Sequence, residues 1–306
     1  MKFPWFNDEQ YNWYQKLSFY RMHRKGFQST FPGISISLRS LMHLKIRFNY
    51  INSESERMFS FRNKYKDSRC FILGNGPSLA QHDLNLLKNE FTIGSNGILN
   101  NKTPSSFIPS FTVLEDSKAA LHFCTAFQSD EQSVKFISRN NSYLFHKSDT
   151  IYFFNPLYFE NEKDWTENVR FSFDFNEYVY VGYTVNYIAL QLAFYLGFKT
   201  VYLLGVDHTY GKEFDQKHLN NQGKSIQITA EDLLLLKNSH FNSQYSNLKI
   251  GSSFNIPSWD KQRENYQMAD VVFKRSERTI INCTPQSALD IFPYQSFESI
   301  FSKVSK

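Results

Sequence analysis

The chain has 306 residues, of which 41% are hydrophobic, 21% charged and 17% aromatic, led by 31 Phe and 18 Tyr. That composition supplies a sizeable core and excludes global disorder, while the length exceeds one usual domain and falls short of two full ones. The net charge of +5 is uneven: residues 1–66 hold twelve Lys/Arg against four acids, which leaves the remainder slightly acidic.

Residues 5–25 mix Trp5, Tyr11, Trp13, Tyr14, Phe19 and Tyr20 with the basic cluster Arg21, His23, Arg24 and Lys25. A basic aromatic helix of this kind can lie on an anionic membrane surface, or pack on the main domain or a second copy in a homo-oligomer. The start MKFPWFNDEQ lacks the pattern of a secretory signal, and no apolar window approaches the ~20 residues that span a bilayer. The expectation is a cytoplasmic protein whose membrane contact, if any, is peripheral and runs through residues 1–66. Nucleic acid is not an expected partner, because the basic character stops at the N-terminal segment. Cys70, Cys124 and Cys283 have no metal-ligand or redox spacing and suit a reducing compartment.

From residue 67 the pattern becomes α/β. Arg69–Leu73 predicts a strand, followed by the turn Gly74-Asn75-Gly76-Pro77-Ser78 and a helical stretch through Leu79, Leu84, Leu86 and Leu87. Phe91–Ile93 and Phe111–Leu114 predict two further strands. Thr184–Leu196 carries apolar residues at helical spacing, Gly197 stops it, and Val201–Leu204 forms a buried strand ending at Gly205-Val206-Asp207. Residues 211–270 look like a polar, lid-like insertion with one helix around Asp232–Leu236. Thr279–Cys283 predicts the last strand, with a short helix through Ala288–Phe292. The fold class is therefore α/β: a Rossmann-like, mostly parallel sheet flanked by helices over residues 67–306, with an N-terminal helical extension over 1–66.

The glycine turn stands where open α/β sheets bind phosphates or sugar rings. Gly74 and Gly76 permit close backbone approach, Pro77 starts a helix without losing a hydrogen bond, and Asn75 both donates and accepts. A tight turn without a ligand satisfies the same residues. Gly94-Ser95-Asn96, Leu114-Glu115-Asp116 and Asp207-His208-Thr209-Tyr210 end three other strands with polar groups, and together these ends mark a candidate crevice.

In motif and order, Phe71–Leu79, Gly94–Asn96, Gly197–Asp207 and the tail Asn282–Pro293 resemble one superfamily. It contains bacterial sialyltransferases of lipooligosaccharide synthesis, the motility-associated factors that glycosylate flagellin, and archaeal-type 6-hydroxymethylpterin diphosphokinases. The chain looks most like diphosphokinase-like members found among surface-polysaccharide genes. The resemblance covers about residues 68–300 and implies a nucleotide-sugar donor, CMP-linked, held by Asn75 and Asn96, with Asp116 at a third matching position; the turn residues Gly74, Gly76, Pro77 and Ser78 and the strand end at Asp207 are the other donor-binding candidates. It assigns Thr184 to the donor sugar and Tyr210 to the departing phosphate. One departure matters: Gln244 stands where the sialyltransferases have their basic histidine, which leaves His240 first and His208 second as candidate bases.

The expected activity is an inverting glycosyl transfer to a glycan or lipid-linked glycan acceptor, with no metal site and no cofactor required. One alternative is pyrophosphoryl transfer from ATP with Mg²⁺ held by Asp116 and Asp207. Another is a non-catalytic nucleotide-binding subunit of a polysaccharide assembly complex.

Overall fold

The computed structural model describes residues 56–100, 107–158, 170–236, 239–240 and 248–302. The chain divides into two units, Met1–Phe59 and Ser60–Lys306. The boundary thus falls at 59/60 where the charge pattern suggests 66/67, because residues 60–66 serve the second unit. The proposed membrane-facing helix at residues 5–25 lies outside the described residues, as does Gln244.

In the second unit, β1 (Arg69–Leu73) is followed by two short 3₁₀ turns, Pro77–Gln81 and Leu84–Leu87. Then come β2 (Phe91–Ser95), β3 (Phe111–Leu114), α1 (Ser117–Ser129), β4 (Val134–Ser138), β5 (Ile151–Phe154), β6 (Pro156–Leu157) and β7 (Val179–Tyr180). The second half holds α2 (Val185–Leu196), β8 (Thr200–Leu204), α3 (Lys212–Lys217), β9 (Ser225–Gln227), α4 (Ala230–Leu236), β10 (Ser253–Asn255), α5 (Trp259–Arg275), β11 (Thr279–Asn282) and α6 (Phe297–Phe301).

Seven strands form one parallel sheet in the order β11-β8-β1-β2-β3-β4-β5. Cys70, Phe71, Ile72 and Leu73 of β1 are fully buried, as a strand covered on both faces requires. Phenylalanine fills much of this core: Phe71, Phe127, Phe136, Phe154, Phe171 and Phe175 are all inaccessible. The chain runs outward from β1 to β5, then returns to place β8 and β11 on the other side of β1. The β1/β8 boundary is consequently the switch point, where loops leave the sheet in opposite directions.

α2 is buried from Tyr187 through Leu196, the polar Gln191 included, so it is a core helix and not a surface one. Thr184 caps its start by accepting from the Asn186 amide, and Gly197 ends it at φ 98°, in the left-handed region. The preceding segment then closes the helix: the Asn63 and Tyr65 amides donate to the carbonyls of Tyr195 and Leu196 at 2.9 and 2.8 Å. A side chain at Gly197 would meet the Asn63 Cα at 2.8 Å, so glycine is required for that approach as well as for φ.

Three elements differ from the sequence expectation. The leucines after the glycine turn form two 3₁₀ turns and no α-helix, because the Asp83 side chain takes the Asn85 amide and starts a new turn after only one. Ala288–Phe292 is irregular: Asn282 donates to the Leu289 carbonyl, Ser287 to the Val206 carbonyl, and the main chain follows these side-chain bonds instead of coiling. The insertion ends earlier than residue 270. α5 starts at Trp259, packs on α2, and is the crossover helix between β8 and β11. The insertion proper holds α3, the β9–β10 hairpin and α4 around its own small core of Phe214, Ile228, Leu236 and Ile256.

Candidate functional site

The glycine turn is built against the end of β8. Gly74 donates its amide to the Leu204 carbonyl at 2.8 Å and Gly76 to the Gly205 carbonyl at 3.0 Å. A Cβ on Gly74 would collide with the Gly205 carbonyl group, and one on Gly76 with the Asp207 carboxylate, whose carbon lies 2.7 Å away. Gly76 has φ −72°, open to any residue, so its need for glycine is steric. Ser78 Oγ donates to Asp207 Oδ2 at 2.8 Å, and the Ser78 amide bonds the same residue. Burial raises the Asp207 carboxyl above its usual range, and the two Ser78 bonds pull it back in part. The anion position at the start of the turn is thus filled by the protein's own carboxylate, and the five-residue 3₁₀ turn carries no macrodipole to attract another. Gly74, Gly76, Pro77, Ser78 and Asp207 come together with a structural part in joining β1 to β8.

Next along the sheet edge stand Asn75, Ser95 and Asn96. The Asn75 amide nitrogen donates to the Ser95 carbonyl at 3.1 Å and lies 3.2 Å from Ser95 Oγ. Asn96 holds a left-handed backbone at φ 47°, which asparagine tolerates better than most residues. Its Oδ1 is buried with no hydrogen-bond partner among the described residues, a condition proteins seldom leave without a ligand or water to meet it.

Beside them, the first residue after β3 is Glu115, which belongs to the polar strand end Leu114-Glu115-Asp116 but is not among the sequence's candidate site residues. Glu115 Oε1 accepts from the Tyr158 hydroxyl, and Asn140 donates to that same hydroxyl oxygen at 3.3 Å. The Glu115 carbonyl accepts from Asn141 Nδ2 at 2.6 Å. Burial pushes the Glu115 carboxyl up to about 7 despite the Tyr158 bond, and the Asp116 charge adds to the rise. Asp116 itself is the N-cap of α1: its Oδ1 accepts from the Ala119 amide at 2.8 Å, a role that explains an aspartate here without any ligand.

The remaining candidates sit in two other groups. Thr184 and Asn186, at the start of α2, hydrogen-bond the buried Tyr266 phenol, and the His208 ring packs edge-on against Tyr266. His208 has φ 58°, and burial together with the Arg263 charge lowers its pKa to about 4. Tyr210 and His240 belong to the insertion core: the Tyr210 ring contacts Phe214, His240 and Phe254. Burial and the nearby Asp215 push the Tyr210 phenol up to about 12, so it stays protonated at neutral pH. His240 Nδ1 lies 3.0 Å from Ser239 Oγ, and burial lowers its pKa to about 4. Both histidines are therefore neutral at pH 7, and weak as bases.

Among the described residues no three His, Cys, Asp or Glu side chains are grouped to hold a metal ion, and no helix is long and apolar enough to cross a membrane. A cleft lined by Leu99, Ile108, His122 and Thr125 runs along the C-terminal half of α1, away from the strand ends that carry the polar groups.

In structure the chain is similar to the MAf glycosyltransferase from Magnetospirillum magneticum AMB-1, with a TM-score of 0.44 and 14% identity over 82% of this chain and 39% of that one. It therefore spans well under half the length of that protein. It is also similar to the sialyltransferase CstII from Campylobacter jejuni, solved with the substrate analogue cytidine-5'-monophosphate. There the TM-score is 0.35 and the identity 15%, over 74% of this chain and 84% of CstII. No curated protein matches the chain in sequence. Residues 45–213, more than half of the chain, match the family described as 6-hydroxymethylpterin diphosphokinase MptE-like, and the chain belongs to that family.

Proposed function

We propose that the chain is a transferase using a nucleotide-activated donor, and that it moves a sugar from a CMP-linked donor to a hydroxyl of a bacterial cell-surface glycan. The observation that carries this reading is the set of neutral amides at the ends of β1 and β2, above all the buried, unpartnered Oδ1 of Asn96. Amide and hydroxyl groups recognise sugar hydroxyls and a nucleobase edge by hydrogen bonding. The motif resemblance supports CMP as the nucleotide. In this scheme Asn75 and Asn96 hold the donor, Thr184 and Asn186 stand near its sugar, and protonated Tyr210 donates to the departing phosphate. Transition-state charge on that phosphate is met by hydrogen-bond donors. The basic segment 1–66 would bring the enzyme to a lipid-linked acceptor at the inner membrane face.

The family's description favours a second reading, pyrophosphoryl transfer from ATP to a pterin alcohol, which would require Mg²⁺. The two carboxylates available for it do not fit that task. Asp207 is bonded to Ser78, Asp116 caps α1, and among the described residues no three His, Cys, Asp or Glu side chains are grouped to hold a metal ion.

The test is calorimetric titration of the purified full chain with CMP, CDP, UDP, ADP and ATP, each with and without Mg²⁺. CMP should bind without metal, and Asn96→Ala should weaken it about tenfold, the worth of one hydrogen bond to a buried amide. Binding confined to ATP or ADP with Mg²⁺ would sink the glycosyl-transfer reading. Tight CMP binding with no turnover of any CMP-sugar would favour a nucleotide-sensing subunit.

A further inference from the structure

We propose that Glu115 is the catalytic base that takes the proton from the acceptor hydroxyl, with Tyr158 as the residue that positions its carboxylate; the inference rests on the glycosyl-transfer reading above. The geometry begins with the sheet. Ser95 pairs with Val113 and Leu114 with Ile137, so the ends of β2, β3 and β4 stand side by side at one strand spacing, about 4.8 Å. Glu115 is the first residue beyond β3, and Asn96 the first beyond β2. The carboxylate therefore leaves the sheet edge one strand away from the amide assigned to the donor.

Three neighbours hold it there. Tyr158, just after β6, donates its hydroxyl to Oε1, and Asn140 anchors the Tyr158 oxygen. Asn141 grips the Glu115 main chain, and Ser117 Oγ donates to Asn141 Oδ1 at 2.9 Å. Oε2 has no protein hydrogen bond among the described residues, and Glu115 is only partly buried. One oxygen is thus fixed and the other is open to a substrate. The charged or titratable groups that face this carboxyl are Asp116 on its own turn and Tyr158 opposite, and a carboxyl held near neutrality is matched to abstracting a hydroxyl proton at physiological pH. The histidines are poorer fits: His240 is packed into the insertion core against Tyr210, and His208 against Tyr266.

The step balances as a displacement. The acceptor O–H bond breaks and its proton passes to Glu115 Oε2. The acceptor oxygen forms a bond to the anomeric carbon, and the bond from that carbon to the phosphate oxygen breaks. The electron pair departs with CMP.

The experiment uses the full chain with CMP-N-acetylneuraminate as the probe, water as the acceptor, CMP release as the readout and CMP binding as the control. Glu115→Gln should lower kcat at least about 100-fold, the usual loss for a general base, while CMP affinity and the unfolding midpoint stay unchanged. Tyr158→Phe removes a bond to the ionised carboxylate, so the midpoint of the rising limb of kcat against pH should move up by about one unit. The high-pH plateau should remain. Glu115→Gln with kcat within about threefold of the parent, alongside a large loss in His240→Gln, would overturn the assignment and leave glycosyl transfer intact. Failure of the parent protein to bind CMP at all would overturn both readings together.

Discussion

Replacing Gly76 with alanine tests what the glycine turn is for. An added methyl would drive into the Asp207 carboxylate, whose carbon lies 2.7 Å from the ideal Cβ position, while the Gly205 carbonyl oxygen lies at 2.9 Å. The cheaper escape is displacement of Asp207, which breaks its bonds to Ser78 Oγ and the Ser78 amide. Hydrogen bonds to a charged group contribute about 1.5–3 kcal/mol each, and some exchange with water is recovered, so Gly76→Ala should cost about 3 kcal/mol. In a unit of this size that lowers the unfolding midpoint by roughly 6–12 °C. Asp207→Ala loses the same bonds and removes the obstacle, so the double variant should be little worse than either single one. The coupling should be about 2–3 kcal/mol, measured by denaturant unfolding of the four proteins. Gly74→Ala should behave differently, because its methyl meets the Gly205 main chain, and Asp207→Ala cannot relieve that. Additive costs for Gly76 and Asp207, or a Gly76→Ala protein of unchanged stability that merely binds nucleotide less well, would refute the packing account.

Two further outcomes follow from buried charge. Asp232 is inaccessible and accepts from Lys217 and His218, each at 2.8 Å, and from the Thr229 amide and hydroxyl. Burial alone would raise its pKa, but these partners outweigh it and hold the carboxyl well below the usual range. Its contribution is therefore present above about pH 4 and lost as the pH falls through the depressed folded value. Asp232→Ala should cost about 3–5 kcal/mol locally, speeding amide exchange in α3 and α4 while the main sheet is spared; unchanged exchange would contradict this. His208 shifts stability in the same direction for a different reason, the burial of its ring. Its folded pKa of about 4 lies below the ordinary value near 6.5, so the unfolded chain takes up the proton first and stability falls as pH drops through that window. His208→Asn, chosen because asparagine accepts the left-handed backbone, should flatten the urea midpoint between pH 7 and 5. An equally steep fall in the variant would place the effect elsewhere.

The strands with the most continuous apolar runs, β1, β2, β3, β8 and β11, are legible because a parallel strand buried on both faces has no polar alternation to disguise it. β4 is not: Val134-Lys135-Phe136-Ile137-Ser138 looks half exposed, yet Lys135 is fully buried with its ammonium on Asp130 at the end of α1. α5 is hidden by a polar sequence, since only one stripe of it, including Tyr266, Ala269 and Phe273, meets the core. The Asn75 and Asn96 positions were visible as polar groups at strand ends. The pKa of Glu115 was not, because it depends on burial and on Tyr158, 43 positions away in the chain.

The sequence by itself determined the α/β class, the glycine turn after the first strand and the family to which these motifs belong, since each follows from local apolar runs and residues with special backbone freedom. Only the tertiary structure decided that the glycines serve a contact between β1 and β8, that Asp207 accepts from the start of the turn, and that burial raises the Glu115 carboxyl while it lowers His208 and His240. Those outcomes depend on which groups from distant segments share a low-dielectric space, and a linear pattern does not specify that.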